Sequence, residues 1–251
     1  MKNSWIKSEK EIDLMKKSGS ICANALKKVR ENIKPGVSCK FLDEVARNEI
    51  EKQGATPSFM TVENYQYTIC TTINEQVVHG IPTDRILKSG DIIGIDIGAL
   101  YKGFHSDLAI TIPVGKISRQ TQNFLSRGES TLKKAIIKAV PGNRIGDISS
   151  TIQDSIESAG YSVVKELTGH GVGKMLHEEP FIPGFGKPNT GPTITENMTL
   201  AIEVIYTAGS GEIGLEKDNW TIRAADGSLG GLFEQTVLIT KSGPVVLTPY
   251  V

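Results

Sequence analysis

The stretch G-D-I-I-G-I-D-I-G-A-L-Y-K-G-F-H-S-D-L-A-I-T-I, from Gly90 to Ile112, decides how the chain folds. Two runs rich in Ile and Ala carry single acids and are interrupted at Tyr101-Lys102-Gly103. β-Branched residues suit a pleated surface and glycine suits a tight turn, so the pattern predicts a hairpin. A turn centred on Tyr101-Lys102 pairs Asp96 with Asp107, which lie equally far from that centre. The two carboxylates then sit side by side on one face, flanked by Ile95, Ile97 and Leu108. Like charges across a ladder repel, and burial sharpens the repulsion, so shared protons or a cation must offset it. A one-residue change of register would instead leave both aspartates in solvent.

Other β-rich runs bounded by turn residues lie at 69–73, 198–206 and 232–240. Two of them hold an acid: Glu203 interrupts L-A-I-E-V-I-Y and Glu234 interrupts L-F-E-Q-T-V-L. On an edge strand a single Glu means little, but in a core strand a carboxylate is costly unless paired or bound to metal. Asp96, Asp107, Glu203 and Glu234 together offer oxygen ligands which, with one histidine, suit Mn²⁺, Fe²⁺, Co²⁺ or Zn²⁺. Their formal charge is close to what two dications neutralise, and a two-metal hydrolytic site is the natural chemical reading.

Helical patterns precede the strands. Ser8 and Glu11 form a capping box, and Ile12, Met15, Ala23, Leu26 and Val29 supply an apolar stripe that ends before Pro35-Gly36. A second helix runs from about Cys39 to Gln53 and stops at Gly54. Helices from about Arg119 to Ala139 and from Ile145 to Ser158 repeat the plan, punctuated by Pro141-Gly142 and Gly160. Pro35 and Pro141, Gly36 and Gly142, and Gly54 and Gly160 are each 106 residues apart, and this common offset points to an internal duplication over chance punctuation. The expected fold is α/β (α+β), helices covering a sheet, in a single catalytic domain spanning 1–251 with halves of roughly 8–115 and 116–251.

Composition bounds the function. The 251 residues carry 28 basic and 28 acidic side chains, so no global charge attracts nucleic acid or an anionic membrane. Cys22, Cys39 and Cys70 are widely spaced and odd in number, which argues against a disulfide framework and for a reducing cytoplasm. The N-terminal M-K-N-S-W-I-K-S-E-K-E-I lacks the apolar core of a signal peptide, and no apolar run is long enough to span a membrane.

The four histidines are His79, His105, His170 and His177. His170 and His177 fall in T-G-H-G-V-G-K-M-L-H-E-E-P, from Thr168 to Pro180. Three glycines argue against a helix, and on a strand an odd spacing of seven sends the two rings to opposite faces. His170, whose flanking glycines allow close approach to a crowded centre, reads as a ligand, with His177 a separate polar group beside it. His105 shares a strand face with Asp107 and is a weaker candidate. His79, in N-E-Q-V-V-H-G-I-P, reads on its own as a structural loop residue.

Five motifs now stand in order: N-E-Q-V-V-H-G-I-P, I-D-I-G-x₈-D, G-H-G-V-G-x₃-H-E-E-P, A-I-E-V and F-E-Q-T-V. In order and spacing the chain resembles the type I methionine aminopeptidases from about residue 8 to its end. The resemblance implies the pita-bread fold, two pseudo-two-fold-related halves with helices on a mostly antiparallel sheet and a dinuclear metal site between them. It implies Asp96, Asp107, His170, Glu203 and Glu234 as ligands of two divalent ions (Co, Mn, Fe or Zn), and Glu203 also as general base and proton shuttle. It implies His79 and His177 as catalytic, substrate-contacting groups and Phe59, Tyr65, Cys70, Leu176 and Trp220 as a methionine pocket, residues that otherwise read as ordinary core. The implied function is removal of initiator methionine from nascent chains near the ribosome, with a small second residue preferred, by a cytoplasmic monomer that needs neither nucleic acid nor membrane. The chain departs from the family pattern in M-T-V-E-N-Y-Q-Y (60–67), which lacks the usual Gly- and Pro-containing loop, and at Leu167, Val204 and Gln235. Alternatives are a proline-directed peptidase of the same fold, which usually carries an extra N-terminal domain, and a non-catalytic binding protein that keeps the fold.

Overall fold

A computed structural model describes residues 5–250; the ends of the expected 1–251 domain and the first four residues of the N-terminal segment lie outside the described residues. Two helix pairs, α1 (Glu9–Asn32) with α2 (Cys39–Lys52) and α3 (Arg119–Ile137) with α4 (Ile145–Glu157), punctuate the chain. Between the pairs run β1 (Thr56–Pro57), β2 (Ile69–Ile73), β3 (Gln76–Val78), β4 (Ile92–Tyr101) and β5 (Phe104–Pro113). After α4 come β6 (Ser162–Val163), β7 (Thr168–Gly171), β8 (Glu178–Pro183), β9 (Thr199–Thr207), β10 (Ile213–Leu215), β11 (Ile222–Ala224), β12 (Gly230–Thr240) and β13 (Gly243–Val246). The main sheet has the order β1-β4-β5-β12-β9-β7-β8, with β2 beside β4, β6 beside β9 and β13 beside β12. Strands β10, β11 and β3 form a small second sheet.

Capping places the helices where the sequence expects them. The Ser8 amide donates to Glu11 Oε2 at 2.9 Å, and the Ser38 and Ser118 hydroxyls accept from the amides of Phe41 and Thr121. The 106-residue offset recurs in the backbone donors that anchor the second helix of each pair, with their acceptors one residue further on. Cys39 N donates to Arg85 O and Lys40 N to Thr83 O, as Ile145 N donates to Pro192 O and Gly146 N to Thr190 O.

Helix α1 packs on β4 and β5, and α3 on β9 and β12. One continuous core joins Leu26, Leu42, Phe124 and Ile152 of the helices to Ile95, Ile97, Leu108, Ile202, Val204 and Phe233 of the sheet. Strand side chains alternate between faces. With Ile95 and Ile97, Leu108, Ile202 and Val204, and Phe233 turned to the helices, alternation sends Asp96, Asp107, Glu203 and Glu234 to the other face.

The hairpin register differs from expectation. Tyr101 pairs with Phe104, so the turn is Lys102-Gly103 and not Tyr101-Lys102. Both turn residues take positive φ, 47° and 84°, as a two-residue hairpin turn matched to strand twist requires, and this draws Gly103 inside the turn. Asp96 therefore opposes Ala109, and Asp107 opposes Gly98. The shift moves each partner by two positions, which preserves parity. The aspartates share a face as expected, but as diagonal neighbours and not as a directly opposed pair.

Candidate metal centre and active site

The sheet register lines up the site. Cys70 opposes Asp96, Asp96 opposes Ala109, Ala109 opposes Glu234, and Glu234 opposes Glu203. These residues form one row across β2, β4, β5, β12 and β9. Two residues along, Asp107 meets Thr236, whose Oγ1 accepts from the Asp107 amide at 2.9 Å and donates to its carbonyl at 2.8 Å. In that next row His170 opposes Ala201, two residues from Glu203. Strand periodicity thus gathers all five expected ligands from five strands. The His170 Nε2 atom lies 3.4 Å from Glu203 Oε1 and 3.9 Å from Asp107 Oδ2.

The tautomer of His170 is set by its own strand: Nδ1 sits 2.8 Å from the Gly171 carbonyl, so Nδ1 carries the proton and Nε2 presents its lone pair to the acids. Close approach explains the flanking glycines, though to neighbouring strands and not to the metal centre. A Cβ on Gly169 would stand 2.6 Å from the Ala201 carbonyl of β9, and one on Gly171 2.3 Å from the Glu179 carbonyl of β8. The sheet can close around His170 only with glycine at both positions.

Burial dominates the electrostatics. Asp96 is pushed up to about 7 by burial. Burial also raises Asp107, Glu203 and Glu234 well above the ordinary carboxylate range, and neighbouring carboxylates add to each shift. His170 is pushed down to about 3, first by burial and then by the charge of His177. Asp96 Oδ1 and Glu234 Oε1 are buried with no hydrogen-bond partner among the described residues. A tight cluster of carboxylates around one neutral imidazole, with two orphaned oxygens, fits divalent cations: they satisfy the lone pairs and cancel the repulsion. Ligand atoms of Asp96, Asp107 and Glu234, and of His170, Glu203 and Glu234, lie within 4.8 Å of one another in each set.

This chemistry fixes a sign for stability. A carboxyl whose folded value is raised stabilises the fold below its unfolded value and loses that contribution as pH climbs through the folded one. The histidines, whose folded values are lowered, act in the opposite sense, but only below their ordinary 6.5. From about pH 7.5, where the unfolded histidines have shed their protons, to about pH 8, below the titration of the unfolded thiols, the acids dominate. The chelator-treated protein is therefore expected to lose about 1.4 kcal/mol per pH unit for each proton the cluster retains. Thermal melts across that range should show its Tm falling, with the Mn²⁺-saturated protein much flatter. A metal-free Tm that rises with pH would contradict the buried-acid reading.

Beside the carboxylate row lies a cleft of about 250 Å³. Phe59, Tyr65, Cys70 and Leu176 form their own apolar cluster, with Trp220 packed against it, so the five expected pocket residues do come together. The Tyr65 hydroxyl donates to the Ile69 carbonyl at 2.8 Å, and its ring stands 5.1 Å from that of Trp220. His79 and His177 both line this cleft, each open to it, and partial desolvation there lowers both below the usual histidine range. His79 adopts φ 58°, an uncommon conformation for a residue with a Cβ and one that collects at functional sites.

The odd spacing of His170 and His177 does not separate them. Their rings meet edge to face, centroids 4.4 Å apart, because the chain leaves β7 through a loop before it re-enters the sheet as β8. His105 is engaged elsewhere: its Nδ1 bonds the Ser58 hydroxyl and its amide donates to the Gly173 carbonyl. Sequence reasoning missed Ile205 and Leu232 in the cleft wall, though both stand two residues from an expected ligand and share its face. It also missed Thr168, which stands two residues from His170 on β7, and Val62 and Phe181, which carry no such signal.

Residues 13–241 match metallopeptidase family M24. Methionine aminopeptidase 1 of Bacillus subtilis is 45% identical over 242 residues, covering 96% of this chain and 98% of the relative. The crystal structure of a methionine aminopeptidase from Thermotoga maritima superposes with a TM-score of 0.95 at 39% identity, over 97% of this chain and 98% of that one. A prolidase from Pyrococcus furiosus superposes with a TM-score of 0.80 at 25% identity, and this chain spans 65% of its length.

Proposed function

Because the chain belongs to metallopeptidase family M24 and has its pita-bread fold, we propose that it is a metal-dependent aminopeptidase that removes N-terminal methionine. The observation that carries this reading is the adjacency of two chemistries. Cys70, in the wall of the apolar recess, directly opposes Asp96, the first acid of the carboxylate row. An unbranched thioether suits a recess of sulfur and aromatic rings, and its scissile bond would then lie over the acids.

Asp96, Asp107, His170, Glu203 and Glu234 would hold two divalent ions, for which Co, Mn, Fe and Zn are all chemically suited. When bound, such ions act as Lewis acids toward the scissile carbonyl and make water a stronger acid. Glu203 is the general base: its carboxylate, 3.4 Å from His170 in the acid cluster, takes the proton of the attacking water and returns it to the leaving amine. His79 and His177, kept neutral, each retain one ring N–H to donate to the carbonyl oxygen as negative charge develops there. The substrate's free α-amino group would reach an ion held by these residues, which favours a chain end.

The substrates are nascent polypeptides with a small second residue, met near the ribosome in the cytoplasm. The enzyme acts as a monomer, without nucleic acid or membrane, as one catalytic domain whose two halves meet at the carboxylate row. Among the described residues no helix is long and apolar enough to cross a membrane. Turnover of Met-Ala-Ser, Met-Pro and Xaa-Pro peptides with Co²⁺ or Mn²⁺ tests the reading. Methionine release from Met-Ala-Ser is expected. Cleavage of Xaa-Pro irrespective of a leading methionine would assign a proline-directed peptidase, and no cleavage at all would favour a binding protein.

A further inference from the structure

The rim of the recess is formed by the segment in which the chain departs from its family's pattern. Residues 60–67 contain neither Gly nor Pro. Asn64 supplies the left-handed turn at φ 65°, and the Tyr65 amide closes it on the Val62 carbonyl at 3.2 Å. Residues 62–68 form no helix or strand. Tyr65 nevertheless holds a fixed place in the recess wall, against Trp220 and with its hydroxyl 3.2 Å from Cys70 Sγ.

Helix α2 supplies the restraint. Asp43 is 6% exposed, and its Oδ1 accepts from two successive amides, Thr68 at 2.7 Å and Ile69 at 3.0 Å. One helical turn on, Arg47 donates through Nε to Thr68 Oγ1 and through Nη2 to the Gln66 carbonyl, both at 3.2 Å. Arg47 Nη2 is also 3.9 Å from Asp43 Oδ2. The pair thus grips 66–69, and the Ile69 carbonyl receives the Tyr65 hydroxyl in turn. Asp43 and Arg47 are absent from the cleft lining.

We propose that Asp43 and Arg47 are specificity-positioning residues: from outside the recess they clamp 66–69, and so hold Tyr65 and Cys70 in the shape that accepts methionine. This rests on the methionine-peptidase reading. A loosened wall leaves only a fraction of molecules with a formed recess, which weakens ground-state and transition-state binding alike and raises KM at constant kcat.

The test is steady-state kinetics of the metal-loaded variants on Met-Ala-Ser and Leu-Ala-Ser. Asp43→Ala is expected to raise KM for Met-Ala-Ser about tenfold with kcat within about twofold, and to lower the Met-over-Leu ratio of kcat/KM at least about threefold. Asp43→Asn keeps an oxygen in place of Oδ1 and should stay within about twofold of the parent KM. Arg47→Met should raise KM about threefold, and Arg47→Lys should not restore it, since an ammonium lacks the planar fork that spans Thr68 and Gln66. If Asp43→Ala fails to fold, Arg47→Met carries the same test. A merely structural role would reduce the active fraction, lowering kcat while KM and the Met-over-Leu ratio stay at parental values, and that result overturns the inference. A parent that releases no methionine would overturn the functional reading itself, whereas parental turnover with unchanged KM in the variants overturns the clamp alone.

Discussion

Glu203→Gln is expected to lower kcat for methionine release by about 10²–10⁴-fold without loss of the fold. Glu203 opposes Glu234 across β9 and β12 and reaches within 3.4 Å of His170 Nε2. The amide keeps an oxygen for a cation but cannot accept and return a proton. A second readout separates this loss from misfolding. The Glu203 charge is among the causes that raise Asp107 and Glu234, so its removal relieves repulsion in the metal-free cluster. The metal-free variant should therefore melt above the metal-free parent at pH 8 while its metal-loaded form is nearly inactive. Parental kcat, or a metal-free variant less stable than the parent, would contradict the role.

His170→Ala is expected to weaken metal binding at least about 10²-fold and to take activity with it, whereas His177→Ala should keep the metal and lose kcat by about 10²–10³-fold. Distances alone leave this open, since ligand atoms of Asp107, His170 and His177 also fall within 4.8 Å of one another. The division follows from what each ring touches. His170 is 4% exposed, its Nδ1 tied to the Gly171 carbonyl and its Nε2 turned to Glu203 and Asp107. His177 is exposed into the cleft where a substrate carbonyl would lie. Metal content after equilibration with chelator-buffered Mn²⁺, measured beside kcat, separates the two. Equal metal loss in both variants would make His177 a ligand and remove it from the substrate role.

The carboxylate row was legible because its signal is local. An acid flanked by Ile, Val or Phe in a strand is conspicuous, and where those flanks pack on the helices, period-two alternation carries Asp96, Asp107, Glu203 and Glu234 to the opposite face. The hairpin register was not fully legible, since it turned on which two residues take positive φ, and Tyr-Lys-Gly offers two candidate centres one residue apart. Parity rescued the conclusion: the two-position slip left both aspartates on the same side. The contact between His170 and His177 was hidden because the route from β7 to β8 is a tertiary matter that spacing does not encode. Asp43 and Arg47 were hidden for a related reason. At i,i+4 on a helix they look like a surface ion pair, and only the return of 66–69 beside α2 gives them work.

Methionine release measured against bound Co²⁺, as the chelator-treated protein is titrated with the ion, tests the central claim most directly. The account predicts no release from Met-Ala-Ser before the first addition, activity rising with bound metal, and no rise in His170→Ala over the same range. Full methionine release by the metal-free protein, or parental activity in His170→Ala with no metal bound, would contradict it.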